Sequence, residues 1–294
     1  MNARPIVPGA TYLVTRRCTQ RQFLLTPTNR KVVRVFHYCL AYAAMKSGVI
    51  VHAVIVMGNH YHLVVTDPDG VLPWFVECLN KLVAKCMNAM RGRWENFWSS
   101  EQASYVRLVG DDAIIDKMAY TLCNPVQEGL VKRGADWPGL RLGTPGRYRV
   151  ERPQMFFRAA GPMPEELDLE ITTPVLADLD VRAARTQIER VVAQRESHER
   201  AKVLAKGRRF MGRRRIIAQD PTASPHTIEP RREISPRIAT RNKWLRIEAL
   251  ARCADFARAY RDALRAWCAA QRDVIFPFGT YVMRRRYQVR CADA

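Results

Sequence analysis

The stretch VIVMGNHYHLVVTDPDG (residues 54–70) sets two histidines, His60 and His62, one residue apart inside a β-branched, apolar run. On a strand, residues i and i+2 project from the same face, so the two imidazoles stand together with Tyr61 and Leu63 behind them. Paired imidazoles make a poor core, because their ring nitrogens must be satisfied. They make a good two-ligand edge for a divalent cation. Two half-exposed histidines bonded to loop backbone would give the same pattern. A second pair lies in YTLCNPVQEGLV (120–131), where Tyr120 and Asn124 share one face of a helix. A phenol, with a pKa of about 10, is a weak nucleophile until something activates it. A bound cation can favour the phenolate and neutralise a phosphate at once. The plainer alternative makes Tyr120 a core residue of an amphipathic helix and Asn124 its last residue before Pro125.

The elements that must position these side chains can be read in order. ATYLVTRRCT (10–19) alternates as a strand does. TNRKVVRVFHYCLAYAAMKSG (28–48) opens on possible caps, Thr28 or Asn29, and stops at Gly48. VIVHAVIVM (49–57), a Gly58–Asn59 turn and HYHLVVT (60–66) form a hairpin. LPWFVECLNKLVAKCMNAMRG (72–92) is a second helix, SYVRLVG (104–110) a strand, and DDAIIDKMAYTLCNP (111–125) a third helix that ends at Pro125. The order β-α-β-β-α-β-α predicts an α+β fold. It is a ferredoxin-like split βαβ antiparallel sheet with helices on one face and the other face available for a ligand.

After about residue 135 the chain turns rich in Gly, Pro and Arg, which places a boundary near 150 and leaves 151–294 as a basic, mainly helical C-terminal extension. Its helices are expected from about 178 and, as one long helix or a pair, over 241–271. The net charge is +20. Such an excess points to a polyanion, nucleic acid before a membrane surface. Residues 200–252 hold 15 basic and 4 acidic residues, so this segment carries the whole excess of the second half. Within it lie KGRRFMGRRR (206–215), with Arg208, Arg209, Arg213, Arg214 and Arg215, and EPRREISPRIATRNKWLR (229–246). No apolar run reaches the ~18 residues of a membrane span. The N-terminus lacks a secretory pattern, and the eight cysteines form no C-x-x-C pair. Free thiols in a bacterial cytoplasm, near the nucleoid, are the expectation.

GNHYHLVV followed by YTLCNPVQEGLV resembles the REP-associated tyrosine transposases, within the single-tyrosine HUH endonucleases. Pro8, Gly9, Tyr12, Val14 and Arg16 match the start of that family, and Asp136 to Pro138 match the element after its last helix. The resemblance covers about 1–145. It implies that His60 and His62 bind Mg²⁺ or Mn²⁺, with Asn124 completing the site. It implies that Tyr120 attacks a phosphate of single-stranded DNA near a hairpin, leaving a 5′-phosphotyrosine and a free 3′-hydroxyl. Such a link conserves the bond energy, so a second DNA end can reverse the step without ATP. Two positions depart from the family: Gly58 stands where proline is usual, and Gln127 where arginine is.

Single-stranded DNA suits a basic groove with aromatic platforms, each stacked base being worth ~1–3 kcal/mol. Trp94, Phe97, Trp98 and Tyr105 are candidates to stack, and Arg16, Arg17 and Arg21 beside the first strand are candidates for phosphates. The basic extension is expected to hold duplex backbone of a hairpin stem or, alternatively, a protein partner. A monomer and a homodimer both fit. A different class of function is a domesticated hairpin-binding protein that no longer cleaves. An RNA-binding module on the same sheet would place aromatics where this chain has histidines.

Overall fold

The computed structural model describes residues 4–154, 163–227 and 237–293. The first half runs β1 (Ala10–Arg17), α1 (Arg30–Ser47), β2 (Ile50–Val56), β3 (His60–Asp67), α2 (Leu72–Met90), β4 (Ser104–Leu108) and α3 (Asp111–Gln127). It continues with β5 (Arg141–Leu142), β6 (Gly146–Glu151), β7 (Glu166–Ile171), α4 (Val181–Ala205), α5 (Arg213–Ile217), β8 (Ile238–Ala239), α6 (Lys243–Cys268) and α7 (Val282–Tyr287). The first seven elements appear in the expected α+β order. The strands form one sheet in the order β6-β7-β2-β3-β1-β4-β8, with β5 pairing with β2 as well. The inner strands β2, β3, β1 and β4 pair antiparallel.

The caps explain where α1 begins and ends. Asn29 accepts from the backbone N–H groups of Lys31 and Val32, satisfying two donors of the first turn. Gly48, at φ 72°, closes the helix in the left-handed conformation.

Strand alternation divides the core. Tyr12, Val14, Val54, Tyr61, Leu63 and Val65 face α1 and α2. Leu13, Ala53 and Val64 face the other way and pack with Ile114, Ile115 and Met118 of α3. The expectation of helices on one face thus holds for α1 and α2, whereas α3 lies across the second face. Sheet contacts alone would leave the outer side of α3 wet, and α4 covers it with Ala184 and Ile188.

Two further differences concern boundaries. α3 does not stop at Pro125 but runs through it to Gln127. A proline this close to the end removes one backbone donor and leaves almost no helix downstream to disrupt. The break expected near residue 150 falls inside β6, which pairs along its length with β7, and β7 pairs in parallel with β2. β8 joins the opposite edge on β4. The extension therefore continues the sheet of the first half. Among its described residues it carries the helices α4, α5, α6 and α7, and α6 is one unbroken helix capped by Asn242. Phe276, Met283 and Ala263 build a small core where α6 meets the C-terminal segment. Residues 229–236 of the second basic stretch lie outside the described residues. Among the described residues, no helix is long and apolar enough to cross a membrane.

Candidate active site

His60 opens β3 and His62 follows two residues later, on the sheet face that α3 crosses. The register sets Arg17 opposite His60 and Thr15 opposite His62 on β1, and Ile55 opposite His62 on β2. The two imidazoles stand edge to face, with centroids 4.8 Å apart. His62 then meets the ring of Tyr120, 5.2 Å away at 68°. Strand and helix thus deliver the histidine pair and the tyrosine to one place.

Hydrogen bonding orients both rings. His60 Nδ1 lies 2.7 Å from Asn59 Oδ1. An amide oxygen only accepts, so Nδ1 of His60 carries a proton and donates. His62 Nδ1 lies 2.7 Å from Thr15 Oγ1. Ligation by either ring would therefore go through Nε2. Burial, with the charges of His60, Arg17 and Lys117, holds the pKa of His62 well below the usual histidine range. His62 is neutral, as a metal ligand must be.

Asn124, one turn beyond Tyr120, is 2% exposed. Its Oδ1 has no hydrogen-bond partner among the described residues. A buried orphan acceptor is costly, and a cation ligated there would relieve it. No cluster of three His, Cys, Asp or Glu residues able to hold a metal occurs among the described residues. Two imidazole nitrogens and, one turn beyond Tyr120, an amide oxygen are donors that a divalent cation accepts, and a phosphate would add the anionic oxygens that Mg²⁺ or Mn²⁺ favours.

Sequence reasoning missed Asp116 and Lys117, on the turn before Tyr120. The Lys117 ammonium lies 5.4 Å from the centre of the Tyr120 ring and 2.9 Å from Asp116 Oδ2. Asp116 also receives Arg195 of α4 at 2.5 Å and Arg241 at 2.9 Å. Burial would raise its pKa, but the hydrogen bonds from Lys117 and Arg195 outweigh that and bring it down to about 2. The only sequence signal was an acid–base pair at the right helical offset from Tyr120.

The expected DNA contacts separate into distinct groups. Arg17 is exposed on the histidine face. Arg16 instead binds the carbonyls of Ser99, at 3.0 Å, and Glu101, so its guanidinium secures a loop. Arg21 holds Thr227 through its carbonyl at 2.6 Å and its hydroxyl at 3.0 Å. Trp94 is 90% exposed. Trp98 packs against Tyr61 and Phe97 and donates to Asn80 O at 2.9 Å. Trp98 and the buried Phe97 are core aromatics, and Tyr105 is half-buried among them.

Arg208, Arg209, Arg213, Arg214 and Arg215 are all exposed. Their segment docks on the end of α3, where Met211 N and Gly212 N donate to Gly129 O and Leu130 O. Ile216 is buried with Ile55, Met57, Val126 and Trp137. Arg208 reaches the Glu128 carbonyl at 3.2 Å.

The departure at Gly58 has a local reason. A Cβ there would stand 3.1 Å from both Phe23 and Thr26, so a side chain in the turn before the histidines would need these neighbours to give by a few tenths of an ångström. The Asp136–Pro138 element anchors the chain after α3, with Trp137 Nε1 donating to Val56 O at 3.0 Å.

No protein-family model matches the chain, and no curated protein matches it in sequence. Its structure is similar to that of a REP-associated tyrosine transposase bound to a REP hairpin, at 20% identity and a TM-score of 0.40, over 47% of this chain and 80% of the other. It is also similar to a candidate transposase from Deinococcus radiodurans R1, at 19% identity and a TM-score of 0.28, over 36% of this chain and 84% of the other.

Proposed function

We propose that the chain is a metal-dependent single-stranded DNA endonuclease and strand transferase, a transposase of the REP-associated type that cuts beside a hairpin. The observation that carries this reading is the meeting of the Tyr120 ring with His62, at 5.2 Å, beside His60. A core tyrosine would not need an oriented, neutral imidazole against its ring with a second imidazole beside it. The motif resemblance around these residues supports the same roles.

His60 and His62, with Asn124 Oδ1, would hold Mg²⁺ or Mn²⁺, which when bound supplies Lewis-acid polarisation of a phosphodiester. The Tyr120 oxygen attacks the phosphorus and gives up its proton. The bond from phosphorus to the 3′-oxygen breaks, and that oxygen leaves as a 3′-hydroxyl. The 5′-phosphate stays on Tyr120 until a second 3′-hydroxyl reverses the step. Arg17, opposite His60 in register, would meet the strand's phosphates.

The test is a denaturing-gel assay with hairpin single-stranded DNA from the gene's own flanks and Mg²⁺ or Mn²⁺. A metal-dependent, detergent-stable protein–DNA adduct is expected from the wild type. Tyr120→Phe should abolish it, and His60→Ala should cut it at least a hundredfold, the loss typical of a nucleophile's or a metal's electrostatic support. An adduct that survives Tyr120→Phe would assign another nucleophile. Hairpin binding without an adduct under any metal would make the protein a non-catalytic hairpin binder.

A further inference from the structure

Asp116 stands one turn before Tyr120 on α3, and two of its cationic partners come from the C-terminal extension. Its Oδ1 accepts from Arg195 of α4 at 2.5 Å and from Arg241, just before α6, at 2.9 Å. Its Oδ2 meets the Lys117 ammonium at 2.9 Å. That ammonium is also the cation beside the Tyr120 ring.

One carboxylate thus faces three cations, and two positive charges stay uncompensated within a turn of Tyr120. The side chains of Asp116 and Arg195 are only 16% and 21% exposed, so solvent and salt screen them less than surface charges. Without the arginines, Asp116 would turn wholly to Lys117 and cancel its charge. An isolated ion pair presents a dipole to an incoming phosphate, whereas the present cluster presents net positive charge.

The clamp on Asp116 is firmly framed. Arg195 also donates from Nη1 to the Asp116 carbonyl at 3.0 Å, so its fork grips backbone and side chain of one residue. α4 is tied to α3 elsewhere too, where Cys123 Sγ donates to Val192 O at 3.4 Å. Just before α4, Asp178 N donates to Asp111 Oδ2 at 3.3 Å. Holding α4 on α3 therefore needs no more than Arg195. It leaves unexplained a second arginine, 67% exposed, brought by a separate element to the same carboxylate oxygen.

We propose that Arg195 and Arg241 are positioning residues for strand cleavage: by occupying Asp116 they keep the Lys117 charge available to the phosphate that Tyr120 attacks. The inference rests on the cleavage reaction proposed above and gives the extension a part in it.

The experiment is a set of double-mutant cycles on the full chain. It reads the single-turnover rate of adduct formation on saturating hairpin DNA with Mn²⁺, and the Kd for the same DNA in EDTA. Arg241→Gln should slow adduct formation about twofold to fivefold, the weight of an exposed charge pair. Arg195→Gln should slow it about tenfold, the weight of a charged hydrogen bond, and Arg195→Lys should recover part of that loss. Kd should change less than the rate in each, because the charge is used in the transition state. In a Lys117→Ala background neither glutamine substitution should slow the rate further, since the charge that the arginines free is gone. Arg241→Gln, at an exposed side chain, should keep the wild-type melting curve, so its cycle decides the matter even if Arg195→Gln loosens the fold. Losses that multiply with that of Lys117→Ala would make the arginines structural ties alone and overturn the proposal. Wild-type rates in both glutamine variants would overturn it as well. Either result, with an adduct formed by the wild type, sinks only this role. A wild type that forms no adduct overturns the cleavage reading and this role with it.

Discussion

Asp116 and Lys117 show how much of the candidate site rests on residues other than the histidine pair and Tyr120. Lys117 holds a positive charge near the Tyr120 ring, and in the proposed reaction that charge would face the oxygens of the attacked phosphate. Charge fixed at such a point stabilises the transition state more than the ground state. Lys117→Ala should slow adduct formation by about a hundredfold, with Lys117→Arg recovering much of it, in single-turnover assays. Asp116 has the structural share. Its carboxylate lies between Lys117, Arg195 and Arg241, and the hydrogen bonds outweigh burial to hold its pKa near 2 against an ordinary 3.8. A depressed carboxylate pKa contributes stability that is fully present above pH 3.8 and is lost as the pH falls toward 2. At neutral pH the shift corresponds to about 2 kcal/mol. Asp116→Ala should remove about that much in urea unfolding at pH 7, because it leaves cations facing one another with no counter-charge.

At the scale of elements, the seven from β1 to α3 were legible because each carries its own punctuation: Asn29 and Gly48 around α1, the Gly58–Asn59 turn between the histidine-bearing strands, and apolar periods of two or 3.6 between them. His60, His62 and Tyr120 were legible for the same reason, since strand and helix geometry fixes which side chains share a face. The side of the sheet taken by α3 was not. Periodicity tells that a helix has an apolar face, and α3 has one for the sheet and another for α4. The edge strands were also hidden. ELDLEI alternates perfectly in burial as β7, yet it follows a Gly, Pro and Arg-rich stretch that reads as a linker. His52 ties this edge down, with Nδ1 3.0 Å from Thr172 O and Nε2 2.8 Å from Thr66 Oγ1. Burial lowers its pKa from 6.5 to about 4, and burial lowers that of His37 on α1 equally. Above pH 6.5 neither costs anything. As the pH falls from 6.5 toward 4, the unfolded chain takes up protons that the folded one refuses, and stability drops. By pH 5 each should have cost about 2 kcal/mol relative to pH 7.5. Urea midpoints at the two pH values should differ accordingly, and because buried His62 contributes as well, His52→Gln should remove about a third of the difference.

Across the whole molecule, the extension and the first half make one structure. α4 covers the outer side of the tyrosine helix, and Arg195 and Arg241 reach its Asp116 from residues outside the motif-bearing half. The basic segment then passes from the end of α3 to the turn after β1, with Ala223 O accepting from Phe23 N at 3.0 Å and Ser224 Oγ donating to Gln20 O at 2.8 Å. The segment thus docks at the end of β2 that leads into the histidine-bearing strand, with Ile216 packed on Ile55 and Met57. Neutralising phosphates releases counterions, and each contact on a single strand contributes about −0.7 to the slope of log K against log salt. Arg209, Arg213, Arg214 and Arg215 are exposed and lie outside the packed core. Replacing all four with alanine should leave the melting temperature nearly unchanged. If each meets a phosphate, the slope measured with hairpin DNA should shrink by about 3. A slope that stays the same would assign these arginines to a solvated face and leave strand binding to Arg17 and its neighbours on the sheet.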